Sequence, residues 1–361
     1  MIVTFPHMGT MYITLRTLFT ELGLEVLPPP SITKKTMDLG AKYAPEMACL
    51  PFKIILGNFI EALEQGADTI ITCGGVGPCR LGYYATVQKT ILKELGFQFE
   101  LIVIEPNVIE VLKLLYRLTP VKSLKGIYAA FKLAGAKMTT LDNMERKICS
   151  VRPREKISGM ADLLWQQSVN AIEVVQDIRG VKALEQVFNE KMDEVGLQGG
   201  YDPLRIGIVG EIYVMLEPFV NQDMVRQLGK MGVEVHKTMF LTDYVRVHLQ
   251  RDRQYYNAYQ QIVEMAKPYL GHYVGGHAIK SIGCTMQMSK ANFDGIIHVF
   301  PFNCMPEIVA KNILPQVSKE LNMPVLSLAF DEQSGEAGVL TRLEAFIDLL
   351  EYRRFKKCIA E

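Results

Sequence analysis

The stretch Ala67–Cys79, ADTIITCGGVGPC, and its echo Phe293–Cys304, FDGIIHVFPFNC, decide the fold. In each, an aspartate opens a short, mostly apolar run, and a Gly-, Pro- or Asn-bearing turn follows before a cysteine. Runs of this length, continuous rather than alternating, read as strands buried on both faces of a parallel sheet. The echo extends outward. KEL recurs at 93–95 and 319–321, 25 positions after Asp68 and 25 after Asp294. Upstream of the two runs, ELGLEV at 21–26 answers KMGVEV at 230–235. Two echoes in the same order point to internal duplication.

Working outward from these runs, residues 2–6, 68–73 and 99–104 read as strands, with helices at 10–22, 53–65 and 84–95. In the second half, 205–210, 233–237, 295–300 and 325–330 read as strands. Helices are expected there at 221–231, 254–267, 277–290, 306–321 and 340–355. Strands separated by helices of this length make βαβ units. Residues 107–200 are mostly helical and carry the single tryptophan, Trp165. The expected fold is therefore α/β: two duplicated Rossmann-like lobes, each a doubly wound parallel sheet, facing a central cleft, plus a helical insert. The boundaries are 1–106, 107–203 and 204–361.

Composition narrows the function. The chain has 361 residues, 39 Lys plus Arg against 39 Asp plus Glu, 49% hydrophobic and 22% charged residues. Zero net charge gives no electrostatic reason to expect nucleic acid or an anionic membrane as partner. No apolar run reaches the ~18 residues of a membrane span. The first residues, MIVTFPHMGTMY, have no basic segment before a long apolar one, so a cytoplasmic location is expected. Seven cysteines in a reducing compartment are either packed or used as ligands.

Placement separates those two uses. Cys79 lies 11 positions past Asp68 and Cys304 lies 10 past Asp294, each just beyond the carboxyl end of a strand. Cys49 sits on the loop leading into the 53–65 helix, at the same end of its lobe. Ligands of open α/β sheets bind beyond the carboxyl ends of the strands. Three thiolates there suit a soft metal centre. Cys73 in its strand, Cys284 within a helix, and Cys149 and Cys358 on outlying helices read as packing. No CxxC pair and no GxxxxGK[ST] motif occurs, which disfavours structural zinc and P-loop nucleotide hydrolysis. His7 and Glu211 follow the first strand of each half, as pseudo-equivalent candidates for proton donation. Glu307 reads as a helix-start carboxylate and His277 as the head of a helix.

Four stretches carry a family resemblance: PEMACLPFK at 45–53, GGVGPCRLGYY at 74–84, PFNCMPEIVA at 301–310 and DEQSGEAGVLTRLEAFIDLL at 331–350. Together they resemble the 2-hydroxyacyl-CoA dehydratase D-component family, and more closely its stand-alone branch of acyl-CoA dehydratase activase-related proteins. Benzoyl-CoA reductase subunits and double-cubane cluster proteins are broader relatives. The resemblance implies an oxygen-sensitive iron–sulfur cluster between two lobes, a [4Fe–4S] centre held by Cys49, Cys79 and Cys304, with Cys73 or Cys284 as possible extra ligands. It implies a partner too, an ATP-hydrolysing activator of the actin-like fold with its own [4Fe–4S] cluster, so that ATP acts only through that partner. The expected activity is low-potential reduction, or reductive dehydration, of a small substrate at an open iron. Arg80, beside Cys79, would then lower the net charge of the cluster or pair with a carboxylate. Two other classes stay open: a two-lobed metal chelatase or metal-insertion protein, and a non-enzymatic carrier of a cluster or small ligand.

Overall fold

The computed structural model describes every residue except 76, 106–107, 121–122, 197–198 and 361. In chain order the elements are β1 (Ile2–Thr4), α1 (Met11–Glu21), β2 (Glu25–Val26), α2 (Lys34–Tyr43), α3 (Leu50–Glu64), β3 (Thr69–Cys73), α4 (Leu81–Glu94) and β4 (Glu100–Ile104). The helical stretch follows: α5 (Val108–Leu118), α6 (Leu124–Val151), α7 (Met160–Val174) and α8 (Ile178–Glu194). Then come β5 (Arg205–Gly210), α9 (Ile212–Leu216), α10 (Met224–Lys230), β6 (Glu234–Lys237), α11 (Leu241–His248), α12 (Arg253–Ala266) and α13 (Ala278–Lys290). The last elements are β7 (Gly295–Pro301), α14 (Met305–Glu320), β8 (Val325–Phe330) and α15 (Glu336–Ala360). Among the described residues no helix is long and apolar enough to cross a membrane.

Two four-stranded parallel sheets share one strand order, β2-β1-β3-β4 and β6-β5-β7-β8. In each, the chain leaves the central pair in opposite directions, so the switch point lies between β1 and β3, and between β5 and β7. The fold is α/β with two Rossmann-like lobes. The chain divides into two compact units, one of 1–142, 171–184 and 241–256, the other of 143–170, 185–240 and 257–361.

Both faces of the first sheet are covered, as an all-parallel sheet requires. Successive residues of β3 point to opposite faces. Ile71 packs with Phe19, Leu115, Ile127 and Ala134 from α1, α5 and α6, while Ile70 packs with Phe52, Leu56, Phe59 and Leu92 from α3 and α4. In the second unit Val209 and Ile296 pack on Cys284 of α13, and Ala278 and Ile282 of that helix pack on Ala310 and Leu314 of α14.

The sequence echoes mark equivalent structural positions. Ile2 N–H donates to Asp68 Oδ1 at 2.8 Å, and Arg205 N–H donates to Asp294 Oδ2 at 2.7 Å. In return, Asp68 N–H donates to Ile2 O and Asp294 N–H to Arg205 O. Each aspartate thus clamps the first strand of its sheet to the third. Gly23 and Gly232 end the helix before the second strand in the same way, with Leu24 N–H to Phe19 O and Val233 N–H to Leu228 O, both at 3.0 Å. A carboxylate accepting two-way ties of this kind is worth about 1.5–3 kcal/mol. Asp294→Ala is accordingly expected to lower stability by about 2 kcal/mol in urea denaturation. A loss within error of zero would show that the clamp does nothing.

The structure corrects several expectations. α2 and α11 fall where no element was expected. The expected helix at 221–231 is found as α10 but starts late, at Met224, because the left-handed backbone at Gln222 (φ 57°) and Asp223 (φ 53°) cannot belong to it. Helices α3 and α4 each start three residues before the expected position, so Cys49 is itself a helix cap rather than a loop residue. Cys73 and Cys358 were read as packed, but both are exposed: Cys73 ends β3 at the sheet's carboxyl edge, and Cys358 lies in the last turns of the outlying α15.

Candidate metal centre and acid–base site

The first unit gathers His7, Cys49, Cys79 and Arg80 at the carboxyl end of its sheet. His7 follows β1. Its N–H donates to Asn58 Oδ1 at 3.2 Å, and its ring stacks on Tyr12 at 5.6 Å. Asn58, fully buried on α3, donates in turn to Pro30 O at 2.7 Å. The triple proline at 28–30 is thereby anchored to the helix that carries Cys49. Tyr12 reaches Glu173, and burial together with that carboxylate pushes its phenol up to about 12.

Cys49 is the N-cap of α3, in extended backbone (φ −70°, ψ 156°), with Pro51 in the first turn. Proline fits there because its missing N–H would have no helical partner. The half-buried Cys49 Sγ shares a hydrogen bond of 2.9 Å with Tyr84 Oη. Tyr84 also packs edge-on against Phe52 at 4.8 Å. Burial, then Cys49, pushes the Tyr84 phenol far above its usual range, so it remains a neutral hydroxyl. Cys79 is half-buried in the turn before α4, and its carbonyl accepts from Gly82 N–H at 3.4 Å. A side chain at Gly82 would meet Gly75 O at 2.4 Å, so the turn closes backbone on backbone. Arg80 Nη1 donates to Met47 O at 2.9 Å, tying the Cys79 turn to the Cys49 turn. Met47, Leu81 and Tyr83, around these turns, are exposed.

The second unit places Glu211 and Cys304 at the corresponding end of its sheet. Cys304 is half-buried and caps α14, again with proline (Pro306) in the first turn. Cys49-Leu-Pro and Cys304-Met-Pro thus build the same local device: a half-buried thiol at a helix N-terminus, where the macrodipole favours thiolate. Phe302, Met305 and Tyr273 are exposed in this unit. Glu211 caps α9 by accepting from Val214 N–H at 3.0 Å, and its own N–H donates to Val299 O of β7 at 3.0 Å. Burial pushes the Glu211 carboxyl up to about 7. The N–H groups of Tyr213 and Val214 oppose that rise, and Glu307 adds to it.

The remaining candidates fall as follows. Cys149 and Cys284 are buried, and burial pushes both thiols up to about 11. His277 is the N-cap of α13, and a side chain at the preceding Gly276 would meet Pro306 at 3.0 Å. Glu307 is fully buried and pairs with His298, a residue hidden from the sequence reading inside the apolar run GIIHVF. A histidine in the middle of a buried strand needs a polar partner. The carboxylate nine residues on was the signal available. Among the described residues, no three His, Cys, Asp or Glu side chains come together as a metal site.

Comparison with known families agrees with part of this picture. Residues 5–72 match the family model described as CoA enzyme activase uncharacterised domain (DUF2229). That segment runs from the end of β1 into β3 and includes His7 and Cys49, while Cys79 and Cys304 lie beyond it. A comparison with curated proteins found no match. The chain is a two-lobed α/β protein whose first lobe is similar, over residues 5–72, to a CoA enzyme activase domain family.

Proposed function

We propose that this chain is an iron–sulfur protein that accepts low-potential electrons from an ATP-hydrolysing activator of the actin-like fold and reduces, or reductively dehydrates, a small substrate. The observation that carries the reading is the contrast among the cysteines. Cys49, Cys79 and Cys304 are half-buried at helix starts beyond the carboxyl ends of their sheets, whereas Cys149 and Cys284 are sealed in cores. The donor chemistry suits a thiolate-held cluster, with Cys49, Cys79 and Cys304 as the proposed ligands. The activase-related domain supports an activator as partner.

When bound to three thiolates, a [4Fe–4S] cluster supplies one-electron reduction and an open, Lewis-acidic iron. The chain's own residues supply the rest. Tyr84 keeps a neutral hydroxyl on Cys49 Sγ, which fixes that side chain in one rotamer and tempers its charge. Arg80 places a permanent cation next to Cys79. Glu211, whose carboxyl burial pushes up to about 7, can hold a proton near neutral pH and give it up during reduction. His7 is a second donor, fixed by the stack on Tyr12.

The test is the iron and acid-labile sulfide content of protein purified without oxygen, with an EPR spectrum of the reduced sample. Roughly four irons per chain and a reduced-cluster signal are expected. Iron-free protein that cannot be reconstituted would overturn the reading.

A further inference from the structure

Helix α5 is apolar on two sides. Its sequence, VIEVLKLLYRL, carries charge only at Glu110, Lys113 and Arg117. Val111, Leu114, Leu115 and Leu118 pack onto the core of the first unit, with Phe19 of α1 and Ile127 of α6. Ile109, Leu112 and Tyr116 recur at i, i+3 and i+7. At 3.6 residues per turn they fall within about 60° of one another, on the side away from Val111, Leu114 and Leu118. They are 63%, 45% and 44% exposed. A helix apolar all round belongs inside a core, yet this one turns an apolar stripe to water. The neighbouring elements do the same. β4, the edge strand that leads into α5, exposes Val103, and α6 exposes Leu124 and Tyr128. Exposed apolar residues gathered in this way mark an interaction surface.

The charges select the occupant. Glu110, Lys113 and Arg117 also recur at i, i+3 and i+7, and they line one flank of the stripe. The acid stands toward the N-terminal end of that flank and the bases follow, Lys113 lying 3.2 Å from Glu110. A lipid surface would select a flank of basic residues alone. This flank carries both signs, in an order that complements its own reverse. A symmetric contact between two copies requires such self-complementarity. A two-fold axis perpendicular to α5 sets the flank against itself, running the other way. Glu110 of each copy then meets Arg117 of the other, twice per dimer. Leu112 lies near the axis, and Ile109 of one copy meets Tyr116 of the other.

We propose that α5 is the contact face of a symmetric dimer, packed antiparallel on α5 of a second copy of this chain through Ile109, Leu112 and Tyr116. The proposal is independent of iron and of the function above. A contact built on one pair of helices is at the small end of specific interfaces, so the dimer forms reversibly and its population follows concentration.

The experiment is sedimentation equilibrium of the full chain over a range of concentrations up to roughly 100 μM. A reductant is present so that the exposed Cys73 and Cys358 cannot link copies. The mass is expected to rise with concentration toward twice the 40.7 kDa of one chain. Leu112→Glu, a substitution at an exposed position, is expected to hold the mass at one chain while leaving the urea midpoint unchanged. Arg117→Glu sets acid against acid at both ends of the contact, and is expected to weaken the dimer by about tenfold. Adding Glu110→Arg to Arg117→Glu re-creates the two pairs in reverse and is expected to recover most of that loss. A single-chain mass at every concentration overturns the proposal and gives the face to a different protein. A dimer that persists in Leu112→Glu overturns it too, by placing the contact elsewhere. A double variant no tighter than Arg117→Glu overturns the antiparallel arrangement. Iron content is measured separately, so failure of the cluster reading leaves this test intact.

Discussion

Cys79→Ala and Cys304→Ala are each expected to abolish iron binding, from roughly four irons per chain to none, whereas Cys358→Ala is expected to keep the full content. The argument is one of donors. A thiolate ligand must be deprotonated, and metal affinity falls with every proton that has to be displaced. Cys149 and Cys284, with thiols near 11, are thiolate in only about one molecule in ten thousand at neutral pH. They cannot stand in for a lost ligand. Cys358 is exposed near the end of α15 and does not lie at a helix start. Cys73, at the end of β3, has its thiol pushed up by desolvation and then by the Glu105 carboxylate, which leaves the helix-start thiols as the readily ionised donors. With only three protein donors, losing one leaves two thiolates for a cluster that needs at least three, and the effect is all or none rather than graded. Iron retained in full by the Cys304→Ala protein would remove Cys304 from the proposed ligand set. Loss from Cys358→Ala would show that iron content tracks general damage instead.

The strands were legible because a parallel sheet buried on both faces leaves an unbroken apolar run, and ADTIITC and GIIHVF say so directly. Asp68 and Asp294 were legible as anchors of the duplication, and the structure gives both the same clamp. α2 was not legible. Its cap is Thr33 with Thr36 at the third position, a capping box without the expected Glu or Gln, and its sequence KKTMDLGAKY offers few apolar residues. It forms because α3 is there to pack against. Exposure of Cys73 was misjudged for a related reason: strand propensity says nothing about where a strand emerges from its sheet. His298 and the bare oxygen of Glu307 were invisible, since a burial pattern cannot show which of two carboxyl oxygens finds a partner.

Gly57→Ala should destabilise the protein by about 3 kcal/mol, the upper end for overpacking, although alanine in a helix normally gains about 1 kcal/mol over glycine. Thirteen of the fifteen residues of α3 are buried, so this helix has no free face onto which it can shift. A methyl group at Gly57 would lie 1.9 Å from Thr36 O, and one at Gly40 would lie 1.8 Å from Lys53 O. Both obstacles are backbone, which cannot rotate aside as a side chain does. The crossing of α2 and α3 is therefore set by two glycines, and the buried bond from Thr36 Oγ1 to Glu61 Oε2 at 2.6 Å depends on it. Gly135→Ala provides the control. It lies on α6 with no atom within 4 Å of the new methyl group, and should gain about 0.5–1 kcal/mol. Urea denaturation of the two variants should thus move in opposite directions, and a Gly57→Ala protein as stable as the parent would refute the backbone contact. The consequence reaches the site. α3 carries Cys49 at its head, and a helix pushed off α2 draws that thiol away from Tyr84 Oη, its partner at 2.9 Å. Gly57→Ala should therefore speed alkylation of Cys49 as well as lower stability, while Gly135→Ala leaves the alkylation rate unchanged.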